Sequence, residues 1–262
     1  MTTRQVLALP RLSWRFTAVW RRNFNVWRKL LLPSVVGNFG EPLLYLLALG
    51  YGFGRMVGEV GGLPYMVFLA SGIVCSSAMT AASFEAMYSA FTRMHMQQTW
   101  AAMLHAPLEV EDVLLGEVLW AGSKALINSA AILLVAIALG LVADWRALWV
   151  LPIVLLTGVC FACMAMVVTA LARSYDVFTY YFTLVLTPML LLSGVFFPLD
   201  QLPPAIAAGA RLLPLAHAIE LIRPQMIGAE ATSVSLHLAV ILAYAALAFC
   251  VCTAVLRRRL RG

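Results

Sequence analysis

Charge is scarce in this chain. Of its 262 residues, 11% are Asp, Glu, Lys or Arg while 63% are hydrophobic, and the mean hydropathy is +0.90. Soluble globular chains carry about 25% charged residues, so a water-solvated domain is excluded and an integral membrane protein is expected. Lysine is scarcer still: Lys29 and Lys124 are the only two, and neither precedes Ser or Thr. No G-x-x-x-x-G-K-[ST] run is therefore present, and the chain has no P-loop of its own with which to cradle ATP. The two histidines of the central polar stretch, His95 and His105, stand ten residues apart without a matched ligand set, which argues against a metal site. A nucleophile–base constellation and a pair of carboxylates at working separation are also missing, so an enzyme reading has no residues to carry it.

Five cysteines (Cys75, Cys160, Cys163, Cys250 and Cys252) lie within apolar stretches. Cys160-x-x-Cys163 has redox or metal spacing, but it sits mid-span without a nearby His or carboxylate, and small packing residues are expected. No cleavable signal peptide is expected, because arginines interrupt the first apolar region and no small-residue cleavage site follows. The net charge of +6 does not point to nucleic acid. The basic residues gather at the two ends of the chain rather than among base-stacking aromatics, and they suit contacts with an anionic inner leaflet.

What is present is a series of apolar runs separated by polar joints. Residues 10 to 32 read as an amphipathic helix with Pro10 at its first position. Arg11, Arg15, Arg22 and Lys29 project together, while Leu12, Phe16, Val19, Trp20, Phe24, Trp27 and Leu31 fill the opposite face. A basic, Trp-rich amphipathic helix lies in the membrane interface plane. Six spans are expected: about Leu31 to Phe53, Pro64 to Phe84, Val118 to Val142, Leu151 to Leu171, Val177 to Phe197 and Leu236 to Leu256. Residues 85 to 117 carry Glu85, Arg93, Glu109, Glu111, Asp112 and Glu117 and read as too polar to span. Within them Thr99 to Leu108 reads as a short helix stopped near Pro107. With the N-terminus inside, thirteen basic residues fall on inner segments and four on outer ones, so both termini are expected to be cytoplasmic.

Between the fifth and sixth runs the pattern breaks. Pro198, Asp200, Pro203 and Pro204 mark a turn, and Ala205 to Leu213 follow before Pro214 interrupts. Nine residues make a helix of roughly 14 Å, under half a hydrocarbon core. Leu215 to Arg223 is equally short, so a re-entrant or interfacial element on the outer side is expected. His217, Glu220 and Arg223 share one face of its second piece. Glu41 is the one acid well inside a predicted span, which makes it a functional candidate, with a helix-interface hydrogen bond as the plainer role. Lys124 reads as snorkelling to the cytoplasmic interface or as meeting an anionic head group. Tyr175, Phe178 and Phe182 share a face at the inner end of the fifth span, either as an aromatic belt or as a stacking surface for sugar rings.

The stretch SGVFFPLDQLP…LLPLAHAIELIRPQMIG resembles the signature of ABC-2 type permeases, the membrane subunits of ATP-driven exporters. WRRNFNVWRK, LASGIVCSSAMTAASFEAMYSAF, MVVTALARSYDVF and LTPMLLLSGVFFP resemble the nodulation protein J subfamily, whose members export lipo-oligosaccharide signals. The resemblance runs from about Trp14 to Gly228. It implies an all-α fold: a cytoplasmic N-terminus with an interface helix (1–32), a six-span transmembrane domain (33–256) and a basic cytoplasmic tail (257–262). It implies a gate helix carrying Arg15, Trp20, Arg22 and Trp27. It also implies a coupling loop, Thr99, Trp100, Met103, Leu104, His105, Pro107 and Leu108, that docks on a separate ATP-binding subunit. ATP and magnesium would sit on that partner and no cofactor on this chain. A homodimer of the permease in the bacterial inner membrane and an amphiphilic saccharide cargo complete the expectation, with no nucleic acid among the partners. Export of a drug, a polysaccharide or a lipid-linked glycan by a related permease remains the main alternative. A secondary transporter with paired broken helices and a membrane-bound transferase are the others.

Overall fold

A computed structural model describes residue 10 and residues 12–261, with side chains left undescribed at 30–39, 41, 260 and 261. Arg11 and the side chain of Glu41 thus lie outside the described residues. The chain is almost wholly helical, as apolar segments in a membrane must be to satisfy their own backbone groups. In order the helices are α1 (Phe16–Trp27), α2 (Leu31–Val57), α3 (Tyr65–Met96), α4 (Thr99–Leu104), α5 (Val110–Ala138), α6 (Val150–Leu171), α7 (Asp176–Leu192), α8 (Pro204–Ala210), α9 (Pro214–Ile227) and α10 (Val234–Arg261). Between α2 and α3 a small hairpin pairs Glu59 with Pro64 and Val60 with Leu63. Its turn residues Gly61 and Gly62 both have positive φ, the backbone that a two-residue hairpin turn requires.

Among the described residues four helices, α3, α5, α6 preceded by the turn Trp145–Trp149, and α10, are long and apolar enough to cross a membrane. α8 and α9 form a bent pair at 82°. Residues Pro42–Val57 of α2 and the whole of α7 are shorter apolar helices. The chain is a multi-pass all-α membrane protein. At its centre α6 packs against α3, α5, α9 and α10. Gly158 makes the α5–α6 contact possible: a Cβ there would stand 2.6 Å from the Ala125 Cβ, the close approach that small residues allow between membrane helices.

Several expected boundaries move. Pro10 is not helical and Arg15 precedes α1, which starts at Phe16. The polar stretch 85–117 is not one loop. α3 continues to Met96 through two π-helical turns, Glu85–Ser89 and Thr92–Met96, and α5 already begins at Val110. Its acids are tolerated in helices because each finds a cationic or N–H partner, as shown below. α7 ends at Leu192, five residues before the expected end, where Ser193 and Gly194 (φ +84°) turn the chain. α9 is longer than its sequence pattern indicates, running through Pro224 to Gly228, which closes it with φ +73°. Glycine tolerates that left-handed cap without steric cost. The cysteines are free, and all but Cys250 are buried.

α1 does more than float at an interface: it packs along the first half of α5. Val19 and Asn23 are buried against it, and Gly116 is the point of closest approach. A Cβ at position 116 would lie 2.5 Å from the Val19 Cβ and 2.8 Å from the Phe16 carbonyl oxygen. Gly116→Leu is therefore expected to unseat α1 at a cost of about 1–3 kcal/mol, and limited trypsin digestion at Arg21, Arg22 and Arg28 should accelerate. Digestion at the wild-type rate in the folded variant would mean that α1 is not held through this contact.

Candidate functional site

The start of α5 is built from acids. Carboxylates in the first turns of a helix face its positive dipole end, and here each serves a different segment. Asp112 accepts from the backbone N–H and hydroxyl of Ser13 at 3.2 and 2.7 Å, and its other oxygen accepts from the Glu109 N–H at 3.1 Å. Glu111 pairs with Arg257 of α10, whose Nε lies 2.7 Å from Oε1. Glu117 accepts from Arg93 Nε (3.0 Å) and Nη2 (2.5 Å), from the Trp100 indole N–H (3.2 Å) and from the Asn23 amide (3.0 Å). One carboxylate thus gathers α1, α3 and α4.

Arg93 also reaches Glu85 at 2.9 Å. Glu85 in turn accepts from Lys124 Nζ and the Trp120 indole N–H, each at 2.9 Å. Two acids and two bases balance inside the protein: Glu85 and Glu117 are buried, and Arg93 and Lys124 are mostly so. Removal of such ions from water costs several kcal/mol each unless partners are supplied, and here they are. Around Trp120 stand Trp20, Phe24 and Trp27 of α1, with ring centroids 6.3, 6.3 and 5.8 Å away. The Trp20 N–H donates to Ser123 at 3.0 Å. Arg22 points into an adjoining cavity of about 320 Å³ beside Arg93 and Lys124 and donates to the Asn23 side-chain oxygen. Burial, then Arg93 nearby, lowers its pKa from the ordinary arginine value.

The residues singled out in the central loop form α4 and its exit. Gln98 takes the left-handed region (φ +53°) and reverses the chain before Thr99. Trp100 is buried, Thr99, Met103, Leu104 and Leu108 are half-buried, and His105 and Pro107 are exposed. The Arg15 guanidinium donates to the Pro107 carbonyl. Trp14, between two residues tied to this end, is left 84% exposed. Lys124 neither snorkels nor stands free for an anionic group, since Glu85 holds it. Phe178 is buried against Tyr88 and Phe91, with centroids 5.2 Å from each, and the half-buried Phe182 lies 6.4 Å from Phe84. Both pack α7 onto α3. The C-terminal arginines also do more than meet lipid: Arg259 donates to the Ala170 and Ala172 carbonyls at 2.7 and 2.9 Å, capping α6.

At the other end a second cavity of about 460 Å³ is lined by Pro198, Asp200, Arg211, His217, Glu220 and Arg223 together with His237 of α10. The predicted face of His217, Glu220 and Arg223 does gather there. His217 and His237 approach with Nδ1 atoms 2.7 Å apart, joining α9 to α10. Arg223 donates to the Ser71 hydroxyl at 2.9 Å and the Gly194 carbonyl at 2.7 Å, and its guanidinium lies 3.7 Å from the Phe68 ring centre. Pro203 precedes α8 in extended backbone, and Pro214 opens α9, where a missing N–H is harmless. Glu85, Arg93, Glu117, Trp120 and Asn23 were not expected as a site. For Glu85, Arg93 and Glu117 the signal was present as charges bordering apolar runs, which membrane helices retain only with partners; Trp120 and Asn23 carried none.

A family model described as ABC-2 type transporter matches residues 15–227, from the approach to α1 to the end of α9. The chain belongs to the ABC-2 type transporter family. Relatives include nodulation protein J of Rhizobium leguminosarum bv. trifolii, 51% identical over 99% of both chains. Nodulation protein J of Rhizobium meliloti (strain 1021) is 49% identical over 97% of both chains. The inner membrane transport permease YadH of Escherichia coli (strain K12) is more distant, 26% identical over 90% of this chain and 91% of its own. This ABC-2 chain thus aligns end to end with the nodulation protein J group, and membrane subunits of the family are not themselves ATPases.

The buried network makes a stability prediction for this ABC-2 fold. Glu117→Ala strands three donors and should cost about 3–5 kcal/mol. Asp200→Ala breaks the exposed Asp200–Arg211 pair and should cost about 0–1 kcal/mol. Thermal unfolding of both in one detergent checks the contrast, and equal losses would remove the network from its structural role.

Proposed function

We propose that the chain is the permease subunit of an ATP-driven exporter that moves a lipo-oligosaccharide of the nodulation-factor type across the bacterial inner membrane. The observation that carries this is the end-to-end similarity to nodulation protein J, joined to a network that ties the α4 loop to α1 through Glu117. A separate ABC subunit would bind ATP and magnesium, and two copies of each chain would form the exporter. In this reading α2, α3, α5, α6, α7 and α10 are the six spans, and both termini are cytoplasmic. The excess of basic residues on one side supports that orientation. So does the gathering of α1, the start of α5 and the ends of α3, α6 and α10 through Glu117, Glu111 and Arg259.

Closure of the ATPase pair would push on Thr99 to Leu108. Trp100 is anchored to Glu117, so that push reaches α3 and α1 without a flexible joint. The gate helix, with Arg15, Trp20, Arg22 and Trp27, would then shift against α5, and a path between protomers would open beneath the element from Pro198 to Arg223. Cargo must bind the inward and outward states unequally for the cycle to do work.

Cells carrying this chain with its ATP-binding partner are expected to release extracellular lipo-oligosaccharide, and removal of either subunit should abolish it. Retention of the cargo despite ATPase pairing would overturn the substrate, and release without any partner would overturn the exporter reading. Met103→Pro, which breaks α4 alone, should insert normally yet fail to co-purify with the ATPase. Undiminished co-purification would count against α4 as the docking element.

A further inference from the structure

Inside the helix bundle, on the far side of Phe84 from Glu85, lies a third space of about 240 Å³ between α2, α3, α5, α7 and the turn after α7. We infer that it is a binding subsite for one sugar ring of the transported molecule. The inference rests on the saccharide-exporter reading and adds to it a place and a set of contacts.

The lining is polar where a membrane interior should not be. Thr80 lies fifteen residues into α3, about 22 Å along it at 1.5 Å per residue, well within a hydrocarbon core of about 30 Å. At that depth an unmade hydrogen bond costs several kcal/mol. Yet the Ser77 hydroxyl is buried with no partner among the described residues. The buried Asn128 side chain of α5 lines the same space. The Thr80 hydroxyl donates to the Ser76 carbonyl at 3.0 Å, which leaves its oxygen free to accept. Toward the space Asn128 offers an amide donor and an amide acceptor, and Thr80 a hydroxyl oxygen that accepts.

Aromatic rings close the two ends of the space. Tyr45 and Phe196 meet edge to face at 6.4 Å, and Phe84 stands at the inner end. A pyranose ring presents hydroxyls around its rim and C–H groups on its faces, so it needs both kinds of wall. Tyr45 and Phe84 are 41% and 45% exposed, so the space opens sideways, and an acyl tail on the same molecule can remain in lipid. The volume, roughly eight times a water's share of the liquid, suits one ring rather than a whole oligosaccharide.

The test uses the permease–ATPase complex in lipid vesicles, with a fluorescent, acylated, neutral oligosaccharide as probe and the labelled acyl chain alone as control. Asn128→Leu should weaken probe binding by about tenfold, the effect of losing one or two hydrogen bonds, while the control partitions as before. The same change should leave Tm equal or higher, because it replaces a buried amide with an apolar side chain of similar size in an apolar bundle. Wild-type probe affinity in Asn128→Leu would overturn the subsite, and if ATP-driven transport of the probe persists, the exporter reading stands without it. A wild-type complex that hydrolyses ATP but neither binds nor moves the probe would overturn the saccharide reading and the subsite with it. Should Asn128→Leu fail to pair with the ATPase, Thr80→Val reads the same contact, with weakened binding expected and unchanged binding contradicting the proposal.

Discussion

The Glu117 carboxylate is the constraint on which the inner half of the molecule depends. It is buried, so its charge must be met by neighbours rather than by water. Its donors come from three segments: Asn23 of α1, Arg93 of α3 and Trp100 of α4. Withdrawal of any one leaves a buried charge under-compensated. The penalty acts on all three at once, and the segments therefore move together or the cluster breaks. Arg93 extends this condition to Glu85 and, through it, to Lys124 and Trp120 on α5.

The fold was legible wherever composition alone decides. Long apolar runs gave α3, α5, α6 and α10, and the prolines at 204 and 214 announced the break between α8 and α9. The inner boundaries were not legible. A stretch holding Glu85, Arg93 and Glu117 reads as loop because a single segment shows only the cost of each charge. Part of the compensation lies within the stretch, where Arg93 pairs with both acids across the fold, and the rest comes from Lys124 on α5 and Asn23 on α1, up to 94 residues away in sequence, which no local pattern encodes. Lys124 shows the same limit from the other side: its spacing suggests an ammonium seeking water, whereas its partner is a carboxylate on a neighbouring helix.

Site residues divide along the same line. The common face of His217, Glu220 and Arg223 followed from helical spacing, and they line one cavity. Their partners did not follow: His237 lies on α10, and Ser71 and Phe68 lie on α3. Phe178 and Phe182 had spacing for a stacking surface, but burial decides between a surface and a packing contact, and burial is tertiary. α3 is the element that unites the two ends. It holds Arg223 near its start and the Glu85–Arg93 pair near its finish, with Ser77 and Thr80 between them.

The indole cluster around Trp120 carries an optical consequence. Trp20 and Trp27 stand 6.3 and 5.8 Å from Trp120 at interplanar angles of 73° and 64°. Chromophores this close and this inclined couple as excitons, so the seated α1 should imprint a couplet on the far-ultraviolet circular dichroism, where the indole transition is strongest, that a single Trp20→Phe change reduces. The protein thereby contains its own unlabelled reporter of whether α1 rests on α5, readable in a cuvette while nucleotide is added to the assembled transporter.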